Sequence, residues 1–210
     1  MAIVKQKVIL FDFDGTIADT VRAGVGIFNK LAGRYGFLEI TPENEDGLRE
    51  KGPREVMKEL SISRFRAPFI LRRLRKGLRE KIPTLKTVHD MRIVLVALKK
   101  RGHILGIVTS NSKENVLEFL KNNRLEFFDH IQAGAGLFRK SYAIKKTMVR
   151  NGLKKSEVVF VGDEIRDVKA AQKRDIKVVA VTWGTNSRKG LERANPDFIV
   201  DNARELLEVL

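Results

Sequence analysis

The chain has 210 residues, 43% of them hydrophobic, and its 41 Lys and Arg against 26 Asp and Glu give a formal net charge of +15. That length suits one well-packed domain with a modest insertion, and the apolar fraction is ordinary for a soluble globular protein. Cysteine is absent, which excludes disulfides and thiolate chemistry, and no apolar run approaches the roughly 20 residues that span a bilayer.

The first predicted strand covers 7–13, within VILFDFDGTIADT. VILF reads as a strand buried on both faces, yet the stretch ends in Asp12 and Asp14, followed by Gly15 and Thr16. Carboxylates are rarely left unpaired in such a setting, because removing them from water costs several kcal/mol. The leading MAIVKQK runs into these acids without a small-residue cleavage site, so it is not read as a signal peptide and a cytoplasmic location is expected.

Residues 18–82 break the pattern of the rest, with helical segments near 21–34, 53–60 and 67–81 and no convincing strand. Leu71, Leu74 and Leu78 form one apolar stripe, while Arg72, Arg73, Arg75, Lys76 and Arg79 lie elsewhere around that helix. The basic stretch is read first as a solvated face and second as an electropositive surface above an anion site. The overall charge favours polyanions without naming one, and no specific nucleic-acid motif accompanies it.

From Pro83 onward, helices near 86–101, 113–122, 142–151, 166–174 and 203–210 alternate with strands at 103–109, 130–133, 158–162, 177–182 and 198–200. That alternation predicts an α/β fold with a Rossmann-like, mostly parallel sheet flanked by helices. The division expected is a core of 1–17 and 83–210 with an inserted all-helical unit at 18–82.

Ligands in open parallel sheets sit beyond the carboxyl ends of the strands. At those ends the sequence places Asp12 and Asp14, then Thr109, Ser110 and Asn111, then Asp163 with Asp167. Four carboxylates at one edge repel one another unless a cation joins them, and oxygen donors favour Mg²⁺ or Mn²⁺ over zinc. Lys140 adds a further positive charge, with Arg139, Lys145 and Lys146 as nearby alternatives.

The ordered set FDFDGT, IVTSN, Lys140 and VGDEIRD resembles the haloacid dehalogenase-like (HAD) superfamily, and the helical insertion resembles its phosphoglycolate-phosphatase-like branch, which carries a helical cap. The resemblance implies a Mg²⁺-dependent phosphatase acting on a small phosphorylated metabolite. Asp12 would be the nucleophile and Asp14 the general acid/base. Mg²⁺ would be held by Asp12, Asp163 and the Asp14 carbonyl, with Asp167 orienting Lys140 or a metal-bound water. Thr109 and Ser110 would hold the phosphoryl oxygens, and Lys140 would offset their charge. Gly15, Thr16, Arg49, Ser110 and Asn111 are the expected substrate-binding positions. Dehalogenases of the superfamily lack the second acid, so the presence of Asp14 disfavours that reaction.

Lys51 and Arg54 flank Gly52 in a loop that resembles the cap's substrate loop, although a solvated loop is an equal reading. His89, His103 and His130 are assigned to packing or surface, and Trp183 to the core. No membrane partner is expected, and the assembly expected is a monomer or weak dimer. The rival readings are a phosphomutase using the same aspartates, and a basic nucleic-acid- or partner-binding protein with a vestigial site.

Overall fold

The computed structural model describes residues 8–136 and 138–210. The first predicted strand is observed as β1 (Val8–Phe11), and Lys7 lies outside the described residues. In chain order there follow α1 (Val21–Tyr35), α2 (Pro42–Arg49), α3 (Pro53–Glu59), α4 (Ala67–Arg79) and α5 (Met91–Lys100). Next come β2 (Ile104–Val108), α6 (Lys113–Asn122), β3 (His130–Gln132), α7 (Lys140–Arg150) and β4 (Val158–Gly162). The chain ends with α8 (Ile165–Gln172), β5 (Lys177–Val181), α9 (Arg188–Arg193), β6 (Phe198–Val200) and α10 (Leu206–Val209).

The six strands form one sheet in the order β3-β2-β1-β4-β5-β6, with every pairing parallel. It is an α/β Rossmann-like sheet. Strand β1 lies between β2 and β4, and the chain leaves it toward β2 and β3 before returning to β4 on the other side. The ends of β1 and β4 therefore meet where strand order reverses, the place where such sheets bind ligands.

The unbroken apolar run of β1 follows from its central position. Ile9 and Phe11 enter one core cluster with Met91, Val94 and Leu98 of α5. Val8 and Leu10 enter the opposite cluster with Ile144 of α7 and Val168 of α8. Successive side chains point to opposite faces, and both faces are covered. A third, smaller cluster joins α1 to α4 through Ala32, Phe37 and Ile70, with Phe28 and Leu74 packed against it.

The helix predicted from residue 86 begins only at Met91. Residues 86–90 are drawn off by the chain after β1: Asp19 N donates to Lys86 O (3.0 Å) and Val88 N to Ile17 O (2.9 Å). Helices α2 and α9 have no counterpart among the predicted elements. Both are polar and short, so periodicity cannot reveal them. Capping starts them: Asn44 accepts from Thr41 N at 2.9 Å with Pro42 at the first turn, and Ser187 accepts from Gly190 N at 3.3 Å. The predicted helix at 203–210 is a 3₁₀ turn, Ala203–Glu205, running into α10. Among the described residues, no helix is long and apolar enough to cross a membrane.

Candidate active site

Asp12 continues the line of β1, its N–H donating to Val161 O of β4 at 2.8 Å. One carboxylate oxygen accepts from Phe13 N at 2.7 Å, and the other meets Lys140 Nζ at 2.5 Å. Lys140 is the first residue of α7 and is only 2% exposed. Its ammonium also pairs with Asp167, in the first turn of α8. Burial works against this charge, but the carboxylates of Asp12 and Asp167 hold the Lys140 pKa above its ordinary value. Arg139, Lys145 and Lys146 are exposed.

Asp163 follows β4 directly, accepting from Thr16 Oγ1 at 2.7 Å and from Thr185 N at 2.8 Å. Two glycines allow this packing. Gly15 turns the chain at φ 74°, and a Cβ there would lie 2.5 Å from Asp163 Oδ2. At Gly184 a Cβ would come within 2.2 Å of the Asp163 Cβ.

Carboxylate oxygens of Asp12, Asp163 and Asp167 lie within 4.8 Å of one another, and all three residues are buried. Burial, with the charges of Glu164 and Asp12, raises Asp163 to about 6. Burial also raises Asp167 well above the usual carboxylate range. Clustered buried carboxylates resist sharing a site without a compensating cation, and all-oxygen donors suit a hard divalent ion. The three residues therefore fit a divalent metal, and no histidine enters their cluster. His103 precedes β2 and His130 opens β3, at the amino ends of their strands.

Asp14 stands apart from that trio. Asn111 Nδ2 donates to both of its carboxylate oxygens at 3.0 Å. Burial, reinforced by the neighbouring charge of Asp12, raises Asp14 to about 7. A carboxyl group so placed can both give and take a proton near neutrality. Asp14, Ser110 and Asn111 border one cavity, together with Arg75 and Arg166.

The β2–α6 turn is built from its own side chains. Thr109 Oγ1 accepts from Asn111 N at 3.0 Å, and Asn111 Oδ1 accepts from Ser112 N at 2.8 Å and from Asn115 Nδ2 at 2.9 Å. The α6 cap is Ser112, which accepts from Asn115 N at 3.2 Å. The Thr16 hydroxyl is engaged by Asp163, and the Gly15 N–H by Thr20 Oγ1 (3.1 Å). Arg49 sits to one side, its Nη2 donating to Gly184 O at 3.0 Å in a pocket shared with Asp19 and Trp183. The Trp183 ring packs against the core, and its Nε1 donates to Thr16 O at 3.2 Å.

Three residues of the site were absent from the expected site positions. Arg75 donates to Ala135 O at 3.0 Å, and its carbonyl accepts from Asn115 Nδ2 at 3.1 Å. Asn186, buried, accepts from Ile165 N at 2.9 Å, at the start of α8. Arg166 pairs with Glu164 at 2.6 Å; it lies inside VGDEIRD and could have been found there.

The pattern of haloacid dehalogenase-like hydrolases matches residues 9–181. The chain belongs to this family. Among curated relatives, a phosphoglycolate phosphatase of Synechococcus elongatus is 33% identical over 98% of this chain and 97% of its own. The pyrophosphatase PpaX of Bacillus cereus is 28% identical over 99% of this chain and 97% of its own. Among solved structures, a predicted phosphatase from Clostridium acetobutylicum superposes with a TM-score of 0.81 at 22% identity, covering 97% of both chains. A putative β-phosphoglucomutase from Thermotoga maritima superposes with a TM-score of 0.67 at 23% identity, over 97% of this chain and all of its own.

Proposed function

We propose that this haloacid dehalogenase-like phosphatase hydrolyses small phosphate monoesters through a phosphorylated Asp12, with Mg²⁺ as its ion. The observation that carries the reading is the buried Lys140 ammonium between Asp12 and Asp167, beside Asp163. A carboxylate that faces a cation and belongs to a cluster able to hold a metal is placed to meet an incoming phosphoryl group. Asp12, Asp163 and the backbone carbonyl of Asp14 would hold Mg²⁺, which when bound neutralises charge on the phosphoryl oxygens.

The residues divide the work. An Asp12 carboxylate oxygen attacks phosphorus as the bond to the leaving oxygen breaks, and Asp14 gives that oxygen its proton. Asp14 then takes a proton from water, whose oxygen attacks phosphorus and frees inorganic phosphate and the Asp12 carboxylate. Asn111, bonded to both Asp14 oxygens, keeps that carboxyl aimed at the cavity. The Thr109 hydroxyl and Ser110 N–H hold phosphoryl oxygens, and Lys140 balances their charge. Thr16 contributes by fixing Asp163, and Gly15 by making the turn that lets the two meet.

Helices α1–α4, within residues 18–82, act as the cap over a core of 1–17 and 83–210. Arg49 would approach the substrate from that cap, with its Nη2 already donating to Gly184 O. The enzyme works as a monomer or weak dimer in the cytoplasm.

The test is phosphate release from a panel of phosphate esters and pyrophosphate, with Mg²⁺ or EDTA, for the wild type and Asp12→Asn. Phosphoglycolate and pyrophosphate head the panel because two relatives bear those names. Metal-dependent release that Asp12→Asn abolishes is expected. Isomerisation without release would make the protein a mutase, and no turnover of any ester would remove the reading.

A further inference from the structure

The cavity above Asp14 has a wall that the phosphoryl-transfer chemistry does not use. Val21, Val25 and Phe28 of α1 face it, as do Leu71, Leu74 and Leu78 of α4. Each trio recurs at helical spacing, so each helix offers a continuous apolar stripe. The α4 stripe is the one visible in the sequence. Part of it packs within the helical segment, where Leu74 and Phe28 join the third cluster. Five of the six residues remain only half-buried, with their outer surface turned to the cavity.

The polar residues lining this cavity come mostly from the core, and Arg75 alone stands on the α4 stripe itself, between Leu74 and Leu78. The polar residues are Asp14, Thr20, Ser110, Asn111 and Thr185, with Arg75 and Arg166. Several are already engaged: Asn111 holds Asp14, Thr20 accepts from Gly15 N, and Arg75 donates to Ala135 O. Arg75 stands near enough to Asp14 for their charges to interact. The core side of the cavity thus supplies Asp14, Ser110 and Asn111, while α1 and α4 supply hydrocarbon, with the Arg75 guanidinium drawn off to Ala135 O. The cavity holds about 240 Å³, below the range of sites for drug-sized ligands.

We infer that the ester hydrolysed here has a short, predominantly apolar leaving group, seated between the α1 and α4 stripes. This rests on the phosphatase reading. A polyol would bring hydroxyl groups against a wall of Val, Leu and Phe side chains that cannot bond them, whereas an alkyl or small aromatic group buries against it. The same wall disfavours both pyrophosphate and phosphoglycolate, whose leaving groups carry negative charge.

Two measurements on the full chain with Mg²⁺ test this. The first is kcat/KM for ethyl, propyl and butyl phosphate, with glycerol phosphate as the polyol of similar length and p-nitrophenyl phosphate as an activated reporter. A rise of about fourfold per methylene is expected from apolar burial, with butyl phosphate ahead of glycerol phosphate. In Leu71→Asn the rise should flatten; because it is a ratio within one variant, loss of folded protein cancels. The second is calorimetric binding of ethyl- and butylphosphonate, which needs no turnover and should tighten with chain length to a similar degree.

Hydrolysis of p-nitrophenyl phosphate with a flat alkyl series, or with glycerol phosphate ahead, would overturn the inference and leave the phosphatase reading standing. Absence of all turnover would remove that reading. Phosphonate binding would then decide the wall by itself, chain-length independence refuting its apolar role.

Discussion

Asn186 ties down Lys51: its Nδ2 donates to the Lys51 carbonyl at 2.9 Å, and to that of Arg49 at 2.7 Å, across more than half the chain. Its Oδ1 accepts from Ile165 N of α8, and its own N–H donates to the carbonyl of Asp163 at 3.2 Å. The turn after β5 thus holds the 49–52 loop on one side and a carboxylate of the acid trio on the other. Glu50 adds ion pairs to Lys189 (2.9 Å) and Arg193 (2.8 Å) of α9.

Replacing Asn186 with Ala should therefore cost about 1–3 kcal/mol, the range for leaving buried polar partners unmet. A urea unfolding curve measures it, and KM should rise as the 49–52 loop loosens. Unchanged stability and KM would mean that Ser187 N, which also donates to Arg49 O, holds the loop unaided.

Lys140→Met removes the cation shared by Asp12 and Asp167. Breaking a buried pair leaves uncompensated charge, so a loss of about 3–5 kcal/mol is expected in EDTA. Mg²⁺ should recover part of it by supplying the missing positive charge. A variant as stable as the wild type in EDTA would show that the Lys140 ion pairs do not hold the site together.

The metal-free protein should lose stability as pH rises. Asp14 lies at about 7 and Asp163 at about 6, both above the ordinary carboxylate value. Between that value and the raised ones, the folded protein binds more protons than the unfolded chain, so the slope of stability against pH is negative. Their contribution is complete below about pH 4 and is lost as pH climbs through 6 and 7. Thermal melts in EDTA from pH 5 to 8 should show this decline, with added Mg²⁺ reducing it. A melting temperature that rises across the window would contradict the assignment.

Thr16→Val deletes the 2.7 Å bond that orients Asp163 while keeping the side chain's shape. Loss of such a supporting contact costs about 10- to 100-fold in metal affinity. Titration calorimetry with Mg²⁺ reads this directly, and an unaltered affinity would place the ion away from Asp163.

Asp14→Asn should lower turnover by about 10²–10⁴-fold, the usual worth of a general acid/base. With p-nitrophenyl phosphate, whose leaving group needs no proton, phosphorylation should outrun hydrolysis. Intact-protein mass spectrometry after quenching should then show one added phosphoryl group. A slow variant with no such species would argue against a covalent intermediate.

The amino-acid sequence by itself determined the alternating α/β order, the central buried β1 and the positions of the acids. Those signals are local. Asp12 and Asp14 interrupt an apolar run within three residues, and Asp163 and Asp167 stand one turn apart at a strand-to-helix junction. What only the tertiary structure decided is which distant groups meet them. Arg75 finds Ala135 across 60 positions, and Asn186 finds Lys51 across 135. No periodicity or motif spacing encodes such partners, because they meet only once the strands have paired and the helices have packed. The stripe Leu71–Leu74–Leu78 shows the same limit. Its helical repeat announces a face that must avoid water, but only the packed molecule turns that face toward Asp14.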